Sequence, residues 1–265
     1  MFGGRTKSVS KFEQTSSKTY KWRSTDQCFV TWDAEKQEQV AMPAKAKLIP
    51  LTATSSVTGA HEQGRMNSPT HRWNNIYSNE FTDFKNEHIK VYEFDRLDQT
   101  KTLLCEGVYS PTIKEFIADK TWAKFTTNVY CLLDGEIVKL QISGAALTAW
   151  IEFGNECKSK NVYLYEQHYF TVAKAEQQQA GVVTYVAPIF EIGDITAEED
   201  AEATKIAAEL ESKIEHNKAA RTDASTDVTA QAQTQAQTQA QTQTSETAPQ
   251  TPDTDEAIAL EDIPF

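Results

Sequence analysis

The sequence predicts a mainly β domain with α-helical additions, followed by a helix and a long acidic tail. Three observations carry that expectation. Twenty-five of the 26 aromatic residues lie at or before Phe190, and a segment without large apolar groups cannot offset its ordering entropy, so the folded part ends near that residue. Within it, short runs alternate aromatic or β-branched residues with polar ones, the pattern of half-buried strands. From Thr222 onward the apolar periodicity stops, and QAQT occurs three times from Gln231 to Thr242, the composition of a disordered spacer.

Residues 19–24 and 27–33 read as a hairpin turning at Thr25-Asp26, and 40–42 and 47–57 continue as strands, the latter anchored by Leu48 and Leu51. Residues 58–74 are polar and contain Gly59, Gly64, Asn67 and Pro69, so a long surface loop is expected there. Strand patterns return at 89–94, 102–109, 125–133 and 136–142, the last two joined by Asp134-Gly135, a hairpin turn signal. A short helix is expected over 111–118, with Ser110 as N-cap and Pro111 in the first position. A second, over 145–153, would pack Leu147, Trp150 and Ile151. Residues 161–173 and 181–190 read as a long hairpin that extends as an arm. Thr196-Ala197-Glu198-Glu199 is a capping box, and Ile206, Leu210 and Ile214 repeat every four residues, so a helix runs over 196–221.

The net charge of −12 is segregated. Residues 222–265 carry eight acids and no Lys or Arg, and residues 196–221 carry seven acids against four bases, which leaves residues 1–195 near neutral at −1. The first fifty residues hold nine bases against five acids. A low overall pI therefore does not exclude a polyanionic partner for the body.

Cys28, Cys105, Cys131 and Cys157 stand far apart without a CxxC pair, and His61, His71, His88, His168 and His216 do not cluster with them. No metal site is expected, and the sparse cysteines suit a reducing compartment, the cytoplasm. Residues 1–10 lack the apolar core of a secretion signal and no stretch approaches a membrane span, so no membrane partner is expected. No phosphate loop, HExxH or GxSxG motif occurs, and the carboxylates are scattered, so the expectation is a protein without catalytic residues or cofactors.

The last five residues, Glu261-Asp262-Ile263-Pro264-Phe265, combine two acids, two apolar side chains, a restricted Pro and a terminal carboxylate. An apolar pocket with a basic rim would take them. Treated as a random coil, the 44 residues from 222 to 265 reach about 35–40 Å, so the tip searches well beyond the body.

Asp262-Ile263-Pro264-Phe265 resembles the tip of bacterial single-stranded DNA-binding proteins, which end Asp-Asp-Asp-Ile-Pro-Phe after a low-complexity linker. Here Leu260-Glu261 stands where two further aspartates would be. The longer body resembles bacteriophage-encoded single-stranded DNA-binding proteins, in stretches such as LTATSSVTG (51–59) and SGAALTAWIEF (143–153). The resemblance implies an oligonucleotide-binding (OB-fold) barrel over 1–195 with an extra hairpin, a helix over 196–221, a disordered linker over 222–260 and a docking tip at 261–265. It also implies single-stranded DNA as ligand, replication, recombination and repair enzymes as partners, and the cytoplasm of a bacterial host. The oligomeric state stays open.

Such domains stack bases on aromatic rings while Lys and Arg track the phosphates. The candidate DNA contacts are Lys18, Tyr20, Lys21, Trp22, Arg23, Phe29 and Trp32 in the first hairpin, then Arg72, Trp73 and Tyr77 after the polar stretch. On a strand Tyr20 and Trp22 share one face and Lys21 and Arg23 the other. Half-buried strands favour aromatics in any case, so a core role competes with stacking for each ring. Two other readings stay open: an adaptor that carries the tip without gripping DNA, and a strand-annealing or recombination mediator.

Overall fold

The structure, a computed structural model, describes residues 18–63, 71–180 and 183–215, with the side chains of residues 180, 183 and 184 outside the description. The expected linker and the tip at Glu261, Asp262, Ile263, Pro264 and Phe265 lie outside the described residues.

Alternation along the chain builds one nine-stranded sheet from β1 (Lys18–Arg23), β2 (Cys28–Asp33), β3 (Glu38–Ala41), β4 (Ile49–Gln63), β5 (Arg72–Ser78), β6 (Ile89–Asp95), β7 (Thr100–Gly107), β8 (Ala123–Leu133) and β9 (Glu136–Ser143). The strands lie in the order β3-β2-β1-β9-β8-β4-β5-β6-β7. All neighbours are antiparallel except β1 and β9. The protein is thus mainly β, as expected, but the ladder does not close: β3 and β7 are edges, so the sheet is not a closed barrel. A separate hairpin pairs β10 (His168–Ala180) with β11 (Val183–Asp194). Its base is tied to the sheet by reciprocal backbone hydrogen bonds between Leu48 and Phe170.

One sheet face is apolar. Tyr20, Phe29, Val129, Cys131, Val138, Leu140 and Ile142 project from it against α2 (Ala145–Ser159) and the hairpin. Trp150, Phe153, Phe170 and Phe190 form a ring cluster there, with centroids 5.0–6.4 Å apart, each pair contributing about 0.5–1.5 kcal/mol beyond area burial. Farther along the same face, Val57, Ile76, Phe81, Ile89, Val91, Ile113 and Ala123 form a second cluster, with Phe116 and Ile117 of α1 (Lys114–Asp119) packed against it.

Several elements differ from expectation. The stretch 58–74 is largely strand: β4 runs to Gln63 and β5 begins at Arg72, which leaves only 64–70 outside the described residues. Gly59 fits that strand because its backbone crosses the Trp122 carbonyl so closely that a Cβ would clash. Ser110 is extended, as a residue at a helix N-cap is, and residues 111–113 run helical into α1 at Lys114, so the helix expected over 111–118 is present. α2 runs to Ser159 and buries Ala146, Ala149, Trp150, Phe153 and Cys157, a stripe that leaves Ile151 on its flank. Residues 161–167 are turns, so the hairpin begins at His168.

The last described element is α3 (197–215). Its capping box forms as expected: the Glu199 amide donates to Thr196 Oγ1 at 3.2 Å and the Thr196 amide to Glu199 Oε2 at 3.0 Å. Ala203 and Ala207 widen its apolar stripe, and both are buried with Ile206 and Leu210. Lys47 anchors the helix start through Glu199 at 2.5 Å. That contact first, and the Thr196 amide after it, hold the Glu199 carboxyl below its usual value.

Candidate nucleic-acid interface

The strand registers define what the second sheet face carries. Tyr77 lies opposite Tyr92 and Thr58, Thr58 opposite Lys124, Asn128 opposite Thr54 and Gln141, Tyr130 opposite Lys139, and Gln141 opposite Lys21. Directly paired residues share a face. From one edge region to the other this face therefore carries Trp32, Lys21 and Arg23, Lys139, Asn128 and Tyr130, Thr54 and Ser56, Trp73 and Tyr77, Tyr92 and Phe94, and Lys101.

Its centre is polar yet buried. Thr54, Ser56, Thr126 and Asn128 are each 4% exposed or less, although α1 and α2 both lie on the apolar side. A flat sheet would leave those hydroxyls in water, so the sheet is curled about this face, and the face is a trough. Its floor is internally satisfied: Thr58 and Thr126 hydroxyls are 2.6 Å apart, and Asn128 Nδ2 donates to Ser56 Oγ at 3.0 Å. Only the Asn128 Oδ1 is buried there without a described partner. Glu80 reaches in beside them, accepting from Thr54 Oγ1 at 2.7 Å and from Tyr130 OH at 2.8 Å, with Lys139 Nζ 3.3 Å away.

Cations gather over this floor from distant parts of the chain. Lys21 of β1 is exposed, and its ammonium is held below its usual value by the surrounding protein first, then by the positive charges of Lys139 and Arg96. Arg96 belongs to the β6–β7 turn, five ladders away from β1. Its electrostatic reach to Lys21 follows from the curl, which brings the two walls of the trough face to face. Glu80 offsets Lys139, but Lys21 and Lys101 have no carboxylate partner among the described residues. Lys101 Nζ instead lies 3.7 Å from the Tyr92 ring centroid and 5.5 Å from that of Tyr77.

No family model, curated protein or solved structure matches the chain. The trough therefore stands on its own residues.

The structure divides the ten sequence-derived contacts. Lys21, Arg23, Trp32, Trp73 and Tyr77 are on the trough face, with Trp32 57% and Trp73 53% exposed. Tyr20 and Phe29 are core, 6% and 1% exposed, on the opposite face. Trp22 packs edge-on against Phe29 at 5.4 Å and donates its indole N–H to the Val186 carbonyl at 3.0 Å, so it anchors the hairpin β10–β11. Lys18 also points away from the trough and pairs with Glu136 at 2.8 Å. Arg72 is engaged structurally, 2.6 Å from Asp95 and 3.6 Å from Asp98. Burial pushes the Asp95 carboxyl up, but the Leu97 and Asp98 amides and Arg72 outweigh it and hold it below its usual value.

Tyr92, Phe94, Arg96, Lys101 and Lys139 are trough residues that the sequence reading missed. For the first two a signal existed: in Ile89-Lys90-Val91-Tyr92-Glu93-Phe94 the aliphatic residues take one face and the rings the other. Among the described residues no three His, Cys, Asp or Glu gather as a metal-binding set, and no helix is long and apolar enough to cross a membrane.

Proposed function

We propose that this protein is a non-enzymatic single-stranded DNA-binding protein. It holds single strands in the trough without sequence preference, coats and protects them, and offers its C-terminal tip to replication, recombination and repair enzymes in the cytoplasm of a bacterial host. The observation that carries the reading is one polar sheet face on which Lys21, Arg23 and Lys139 stand on the neighbouring strands β1 and β9 and on which Trp32 and Trp73 are exposed. Neighbouring cations that repel one another are stabilised by a phosphate chain, and rings beside them supply base stacking independent of sequence.

The fold reading is an open variant of the oligonucleotide-binding architecture, which is itself a five-stranded and partly open barrel. The run β9-β8-β4-β5-β6 supports it as five consecutive antiparallel strands curled about a common face. The tip at 261–265 supports the pathway, through its resemblance to bacterial tips of the same sequence.

Fluorescence titration of the full chain with oligo(dT) at two salt concentrations tests the proposal. Saturable quenching that weakens as salt rises supports it. Absence of binding at low salt ends it, and tip-dependent capture of a repair enzyme without DNA affinity would establish the adaptor reading in its place.

A further inference from the structure

We propose that the trough splits the nucleic acid lengthwise, with bases stacked on the β5–β6 wall at Tyr92 and the sugar-phosphate backbone laid along the opposite wall at Lys21. The inference rests on the single-stranded DNA reading and assigns the chemistry within that site.

The two walls differ in kind. On the trough face of β5 and β6, Tyr77 and Tyr92 are direct cross-strand partners, their centroids 5.9 Å apart and their planes 32° from parallel. Both rings are half-buried, so their orientation is held before any ligand arrives. On the trough face of β1 and β9 stand Lys21, Arg23 and Lys139 and no aromatic residue, because Tyr20 and Trp22 turn to the core. Trp32 stands one strand beyond that cation row, on β2, outside the lengthwise division, where its exposed ring takes a base of the single strand as it leaves the trough. A single strand has the same asymmetry, with flat apolar bases on one side and charged phosphates on the other. On the stacking side Arg96 is held at the trough face by Asn75, its guanidinium 3.2 Å from the Asn75 Oδ1, so the β5–β6 wall also carries a cation for the phosphates at its rim.

Lys101 marks the stacking position. Its ammonium covers the Tyr92 ring at 3.7 Å, has no carboxylate partner among the described residues, and sits on an exposed side chain. A cation over a ring is an exchangeable occupant. An incoming base takes its place on the ring, and the released ammonium turns to the adjoining phosphate.

The test compares oligo(dT) with an abasic oligomer of equal length, whose backbone is intact, on the full-length protein, with thermal unfolding to verify folding of each variant. The wild type binds the abasic oligomer more weakly, by about 5- to 150-fold for each stacked base lost. Tyr92→Leu shrinks that ratio at least about fivefold and leaves the salt dependence unchanged, and Tyr92→Phe preserves both. Lys21→Met preserves the ratio and makes the log–log salt slope shallower by about 0.7. An intact ratio in Tyr92→Leu, or a reduced ratio in Lys21→Met, overturns the division of labour. Ultraviolet crosslinking of oligo(dT) to the wild type supplies a readout independent of any variant's folding: thymine attached to β5 or β6 supports the division, and thymine attached to β1 or β9 overturns it. Failure to bind either oligomer instead removes the parent reading.

Discussion

Two tryptophans ten residues apart in one hairpin give opposite phenotypes. Trp32 is 57% exposed on the trough face, whereas Trp22 is half-buried, edge-on to Phe29 and hydrogen-bonded to Val186 across to β11. Trp32→Ala removes an exposed strand side chain, which costs about 1 kcal/mol of stability or less. Trp22→Ala opens a cavity beside Phe29 and strands the Val186 carbonyl, which costs about 2–4 kcal/mol, reduced from the fully buried range because the ring is partly solvated. At about 2–4 °C per kcal/mol for a body of this size, the expected falls in Tm are 4 °C at most for Trp32→Ala and about 4–16 °C for Trp22→Ala. Single-strand affinity reverses the order. Trp32→Ala weakens oligo(dT) binding by about 1–3 kcal/mol, roughly 5- to 150-fold, as loss of one stacking ring does. Trp22→Ala leaves affinity within about twofold wherever it remains folded, since its ring faces away from the ligand. Anisotropy of a labelled oligo(dT) reads affinity without relying on the tryptophans removed, and thermal unfolding reads stability. If Trp22→Ala loses affinity while folded, or Trp32→Ala loses none, the placement of the ligand on the trough face is wrong.

Further outcomes follow from the charges. Lys21→Met lowers affinity about fourfold at 0.15 M salt, the loss of one phosphate contact at a slope near 0.7; it also raises Tm by about 1–2 °C, since the Lys139 and Arg96 repulsion disappears and the exposure of Lys21 keeps that gain near 0.5 kcal/mol. Arg72→Ala leaves Asp95 without its cation and costs about 1–3 kcal/mol at neutral pH in chemical denaturation. Asp95 has a depressed folded value, so its contribution is complete above its unfolded pKa of about 3.9 and is lost as pH falls through the lower folded one; the gap between wild type and Arg72→Ala in unfolding curves narrows over that acid range. Truncation after Arg221 removes eight acids and no bases, and it raises oligo(dT) affinity at low salt if the tail competes for the cations; unchanged affinity in the same titration would show that it does not.

Much of the fold was legible because local rules and the tertiary structure agree. The Asp134-Gly135 turn, both residues with positive φ, joins β8 to β9, and the Thr196 capping box opens α3. The stretch 58–74 failed for a specific reason. β4 and β5 turn one face to the trough, so Thr58, Glu62 and Asn75 stand where a sandwich strand would carry apolar residues, and such a polar stretch has the composition of a loop. The faces of β1 were also legible, with Tyr20 and Trp22 opposed to Lys21 and Arg23. Which face met the core was not, because α2 and the β10–β11 hairpin decide it from more than 120 residues away. The cation cluster was hidden most deeply. Lys21, Arg96 and Lys139 meet only through the curl of the sheet, a property with no period in the sequence.

Lysine footprinting of the full chain with and without oligo(dT) tests the central claim most directly. Lys21 and Lys101 face the trough, while Lys158 and Lys160 lie at the end of α2 on the other side of the sheet, and all four are exposed. The trough account predicts that oligo(dT) protects Lys21 and Lys101 from amine labelling and leaves Lys158 and Lys160 reactive. Protection centred on Lys158 and Lys160, with Lys21 and Lys101 unchanged, would contradict it.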